Sequence, residues 1–120
     1  MSPPVQVASA AAWRDEAHVA ENRRLYREKF AAALPLVSAP LETAMPDGGF
    51  YLWMRTPIPD AEFARELYRQ YNVSVLPGSY LAREADGFNP GRGRVRISLV
   101  ASVDECVEAA HRLKDFIQGR

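Results

Sequence analysis

The chain has 120 residues, enough for one domain with a real core and too few for two ordinary ones. Its fifteen basic and fifteen acidic residues cancel, so no overall field draws it to nucleic acid or to an anionic membrane. No apolar run approaches the roughly 18 residues of a membrane span, and Met1-Ser2-Pro3-Pro4 lacks the basic and apolar regions of a signal peptide, so a cytoplasmic protein is the expectation.

Ser2-Pro3-Pro4 opens a helical pattern, with serine able to cap and proline tolerated in the first turn. Val5, Ala12, Val19, Tyr26 and Ala33 recur every seven residues, and Pro35 brings the pattern to its end, which predicts one helix of nearly thirty residues. Pro46-Asp47-Gly48-Gly49 signals a turn before the strand-like run Phe50-Tyr51-Leu52-Trp53-Met54. Asp60 is suited to cap a helix whose inner side holds Phe63, Ala64, Leu67 and Tyr71. Val73 to Leu76 reads as a short strand ending at Pro77-Gly78, and from there to Gly93 no period emerges, as in a functional or disordered loop. A strand follows from Arg94 to Val100. Ser102-Val103-Asp104-Glu105 then forms a capping box for a last helix with Val103, Cys106, Val107, Ala110, Leu113 and Ile117 as its buried stripe. This order predicts an α+β two-layer sandwich: a small mixed or antiparallel sheet with a long N-terminal and a C-terminal helix. One domain, 1–120, is expected, with the long helix over 1–36 and an α/β body over 47–120.

Much chemistry is unsupported. His18 and His111 lie on charged helical segments without a second ligand at metal spacing, so no metal site is expected. The serines at 38, 74, 79, 98 and 102 lack a nucleophile-elbow context. One Gly91-Arg92-Gly93-Arg94 without interleaved aromatics is poor support for RNA binding. Cys106 falls among apolar helix positions, the usual place of a buried, inert thiol.

Arg96 is the informative residue. Alternation along the last strand sends Val95, Ile97 and Leu99 to one face and Arg94, Arg96 and Ser98 to the other. A planar guanidinium on a rigid strand is able to clamp a carboxylate with two parallel hydrogen bonds, as an amino-acid or keto-acid site requires. An outer sheet face with solvated arginines remains the competing reading of this strand taken alone.

Three segments together resemble the C-terminal small domain of class I/II pyridoxal-phosphate aminotransferases: Gly48-Gly49-Phe50-Tyr51-Leu52-Trp53, Val75-Leu76-Pro77-Gly78-Ser79 and Val95-Arg96-Ile97-Ser98, in this order and spacing. Within the family, Pro77 to Ala85 and Asn89-Pro90-Gly91-Arg92 look most similar to the N-succinyldiaminopimelate aminotransferases of bacterial lysine synthesis. The resemblance implies that Arg96 binds the substrate α-carboxylate and that Phe50 lies near the substrate. Ser2-Pro3-Pro4 would approach the neighbouring subunit's active site, and the loop with Ser79, Tyr80, Arg83 and Arg92 is a candidate for substrate choice. It further implies the chain's own large domain as a partner, a homodimer, and pyridoxal phosphate as cofactor of the full-length enzyme. The family's Schiff-base lysine lies upstream, and neither Lys29 nor Lys114 stands in its context. The resemblance therefore implies that the chain corresponds to the C-terminal part of such an enzyme, with Met1 at a position expected to be internal in the family. No catalytic residue, no cofactor-binding residue and no transaminase activity are expected of it alone. The alternative from another class is a non-catalytic protein-binding module that keeps the domain fold.

Overall fold

Two strands that bury alternate residues organise the molecule, because each turns one face to the core and the other away from it. The computed structural model describes residues 1–119. In it β1 (Tyr51–Arg55) and β3 (Arg94–Ser98) pair antiparallel, with Leu52 opposite Ile97 and Met54 opposite Val95. The short β2 (Leu76–Pro77) joins the other edge of β3, giving the antiparallel order β1-β3-β2. The expected Val73–Leu76 strand is thus displaced towards Pro77, while Val73 and Val75 pack at the margin of the core. Pro77 lacks the N–H a central strand must donate, which suits this edge position.

Helices cover one face only. α2 (Glu16–Ser38), α3 (Asp60–Tyr71) and α5 (Val103–Gln118) deliver Phe30, Val37, Phe63, Leu67, Leu113 and Phe116 to the same buried cluster as Leu52, Met54 and Val95. The two-layer α+β sandwich is therefore the fold. Phe116, absent from the expected stripe of α5, is buried at its centre and meets the rings of Phe63 and Tyr71 at 5.2 and 5.8 Å. The capping box of α5 is formed: Glu105 donates its N–H to the Ser102 hydroxyl, and the Glu105 carboxylate accepts the Ser102 N–H at 3.1 Å.

The long N-terminal helix differs from expectation. It is two helices, α1 (Pro3–Arg14) and α2, separated at Asp15, whose backbone is extended and whose carboxylate accepts the Ala17 N–H at 3.2 Å. Aspartate is a strong N-cap, and α1 has no buried residue, so no packing enforces continuity across the break. Ser2 stands at the N-cap of α1 but makes no side-chain capping bond. α2 also continues past Pro35 to Ser38. An interior proline costs about 3 kcal/mol; the burial of Val37 and Leu41 just beyond it offsets that cost.

The segment from Gly78 to Gly93 is ordered. α4 (Gly78–Leu81) is one turn, and Ala85 and Phe88 exchange two 2.9 Å backbone bonds around Asp86-Gly87, both with positive φ. That is the turn for which Asp-Gly is suited.

Candidate functional site

Register decides what the open sheet face displays. Residues opposite each other share a face: Tyr51 with Ser98, Trp53 with Arg96, and Arg55 with Arg94, while Leu76 flanks Arg96 from β2. Arg96 consequently lies at the middle of the central strand, between an aromatic and an aliphatic side chain. Its guanidinium sits over the Tyr51 ring, 5.4 Å from the centroid. Its Nε is buried and has no hydrogen-bond partner, and no ion pair to Arg96 exists among the described residues. A buried donor left unmet on a cation is expensive. The group that matches a planar guanidinium donor in charge and geometry is a carboxylate.

Phe50 lies immediately before β1, half exposed, with its ring edge-on to Tyr51 at 5.7 Å and tilted against Tyr26 of α2 at 6.5 Å. Arg96 and Phe50 are thus brought together through Tyr51, which reasoning from the sequence passed over although alternation puts Tyr51 on the arginine face. Beyond Tyr26 opens a cleft of about 820 Å³ bordered by Phe30, Met45, Pro46 and Gly49. A second hollow of about 330 Å³, lined by Thr43, Tyr51, Trp53 and Arg94, adjoins the sheet face.

The loop candidates separate. Ser79 turns inward and donates both its N–H and its hydroxyl to Asp60. Tyr80 and Arg83 are exposed, and Arg92 lies 3.8 Å from Glu84. Asp60 itself is not the expected side-chain cap. It occupies the first position of α3, is buried, and accepts from Ser79 and from the Gly93 N–H. Burial pushes its carboxyl pKa up, but the Ser79 hydroxyl and the Ser79 and Gly93 N–H groups outweigh this and hold it below the ordinary value.

Lys29 is buried on α2, with its ammonium 4.7 Å from the Tyr26 ring centroid. Lys114 is on α5, so neither lysine belongs to the open sheet face. His18 pairs with Asp15 at 3.1 Å, and no cluster of metal-ligating side chains exists among the described residues. Burial raises the Cys106 thiol, as for an inert core cysteine. No helix is long and apolar enough to cross a membrane among the described residues.

The sheet face turned away from the buried cluster thus presents Arg96 without an ion pair among the described residues, beside Tyr51, Trp53 and Leu76. The profile of the aminotransferase class I and II family matches residues 1–113, and the chain belongs to that family. An aminotransferase of Neisseria meningitidis superimposes with a TM-score of 0.91 at 48% identity, over 97% of this chain and 30% of that one. A probable aminotransferase of Mycobacterium tuberculosis is 35% identical over 112 residues, 92% of this chain and 25% of the relative. A probable N-succinyldiaminopimelate aminotransferase of Thermus thermophilus gives a TM-score of 0.63 at 35% identity, over 77% of this chain and 24% of that one. The chain spans about a quarter to a third of the length of these relatives.

Proposed function

We propose that this chain is the substrate-carboxylate-binding small domain of a cytoplasmic, homodimeric pyridoxal-phosphate aminotransferase. In this reading the enzyme moves an amino group between N-succinyl-LL-diaminopimelate and 2-oxoglutarate in lysine biosynthesis. The observation that carries it is Arg96, a strand-held guanidinium with a buried, unmet Nε at the centre of the open face. The choice of substrate draws on the loop from Pro77 to Arg92 and on the likeness to the Thermus thermophilus protein.

Bound pyridoxal phosphate supplies an electron sink once a lysine holds it. The residues of this chain do not fit that task, since neither Lys29 nor Lys114 stands beside Arg96 on the open face. Cofactor and lysine belong, in this reading, to the large domain. Arg96 takes the carboxylate common to every amino and keto acid, and Tyr51 and Trp53 limit its swing and exclude water from its flanks. Phe50 borders the substrate, while α1 and α2 connect this domain to the rest of the enzyme.

The test is Arg96→Leu in the full-length enzyme. Leaving a buried charge without its partner costs about 3 to 5 kcal/mol, so kcat/KM should fall by roughly two hundred- to several thousandfold for every amino and keto acid. Arg96→Lys should recover only part, because a point charge cannot copy the planar fork. Cofactor absorbance should persist in both. A near-normal kcat/KM in the folded Arg96→Leu enzyme would refute the proposal.

A further inference from the structure

We infer that Asp60 is a positioning residue for Arg96: its buried carboxylate ties the start of β3 to the base of the 79–92 loop, and so sets where the guanidinium meets a substrate carboxylate. This rests on the reading of Arg96 given above.

Asp60 is 4% exposed, and among the described residues no lysine or arginine pairs with it. Three donors replace the water it has lost. Its Oδ2 accepts the Ser79 N–H at 2.9 Å and the Ser79 hydroxyl at 2.6 Å, and its Oδ1 accepts the Gly93 N–H at 3.2 Å. Bonds of this charge-assisted kind are roughly twice as strong as neutral ones. They join three elements that are distant in sequence: the first turn of α3, the head of α4 and the residue just before β3.

Gly93 is held from both sides, since its carbonyl accepts the Thr56 N–H at 2.8 Å while Asp60 takes its N–H. Its φ of +73° suits glycine, and the strand begins with the next residue. Arg96 is three residues further on, about 10 Å along a rigid strand, so a shift at Gly93 is carried to the guanidinium. Asn89 locks the same knot from the loop side, donating to the Ser79 carbonyl at 3.1 Å and accepting the Gly91 N–H at 2.9 Å. Ser79 therefore serves the site by its bonds to Asp60 rather than by reaching substrate. A buried network with every member satisfied selects one arrangement of its elements. Here that arrangement is the strand end and loop base beside the carboxylate clamp.

In the full-length enzyme, Asp60→Asn keeps the side chain's size but turns an amide NH₂ towards N–H donors. Misplacing the clamp by about 1 Å should raise KM for both amino and keto acid about ten- to a hundredfold, with kcat within about threefold and unchanged cofactor absorbance. Ser79→Ala removes one donor and keeps both backbone N–H bonds, so a smaller rise of about two- to fivefold is expected, and it keeps the test open if Asp60→Asn does not fold. The deciding measurement is the double substitution. In an Arg96→Gln background, Asp60→Asn should lower kcat/KM by less than about twofold more, whereas a role in the fold alone gives the same loss in both backgrounds. Equal losses, or wild-type KM in the folded single variants, overturn the inference while Arg96 stands. Near-normal kcat/KM in Arg96→Gln instead removes the carboxylate reading itself, and the positioning role with it.

Discussion

Replacing Gly91 by alanine should be among the most damaging single-methyl changes available to this chain. A Cβ built on Gly91 would lie 2.0 Å from the Gly78 carbonyl oxygen, 2.3 Å from its carbon and 3.0 Å from the Ser79 nitrogen. All three are backbone atoms, so no side chain is free to rotate away, and the two strands of chain must part by about 1 Å to restore van der Waals distance. The reciprocal view agrees: a Cβ on Gly78 would meet the Gly91 and Arg94 carbonyls at 2.3 and 2.8 Å and Trp53 at 2.7 Å. Separation puts three bonds at risk: Arg94 N–H to Gly91 C=O at 3.2 Å, Gly91 N–H to Asn89 Oδ1 at 2.9 Å, and Asn89 Nδ2 to Ser79 C=O at 3.1 Å. At about 1 kcal/mol each, the loss is about 3 kcal/mol, matching the upper range for overpacking. Urea or thermal unfolding of the purified chain measures it, with Tm expected to fall by about 10 °C. Gly48→Ala is the control, since nothing lies within 4 Å of its added carbon, and should change stability by less than about 1 kcal/mol. Gly87→Ala, also unobstructed but at φ +76°, should fall between, losing about 1 kcal/mol to backbone strain. Gly91→Ala unfolding together with Gly48→Ala would mean that the loop base is not the tight crossing described here.

Ser102→Ala removes the hydroxyl that caps α5 and should cost about 1 kcal/mol, read as a few degrees of Tm by circular dichroism; an unchanged Tm would show that the box is not formed in solution. Acid should expose Asp60. Because its folded pKa lies below the unfolded value, its contribution is fully present above that unfolded value, about 3.9, and is lost as pH falls through the folded one. The stability gap between the wild type and Asp60→Asn, measured by denaturant titration at stepped pH, should therefore be constant near neutrality and narrow below about pH 4. A gap independent of pH down to about 2 would count against a charged Asp60.

The readable parts of this fold are those decided within one element. Alternation in β3 assigned Val95 to the core and Arg96 to the other face, because a strand with one buried face cannot slip by one residue without inverting every side chain. Ser102 and Glu105 read as a box because their reciprocal bonds span three residues. The helix break at Asp15 was not readable, since the seven-residue apolar repeat runs through it unchanged and only the lack of anything packed on α1 lets the aspartate act as a cap. The Asp86-Gly87 turn carried its signal openly, but without alternating apolar flanks it did not announce two pairing segments.

Asp60 marks the limit most clearly. An aspartate at the start of a helix has a local explanation as a cap, and its actual partners lie 19 and 33 residues away. Nothing in the sequence around residue 60 separates the two uses, because both satisfy the same carboxylate with backbone N–H groups and differ only in which element supplies them. The same asymmetry holds for the candidate site as a whole. Arg96 and Tyr51 sit within two paired strands and follow from their register, whereas the groups that hold the start of β3 and the base of the loop come from α3, α4 and the segment between Asn89 and Gly93. The face on which Arg96 lies is legible from pattern; the groups that tie down its strand become visible only once distant segments are folded against one another.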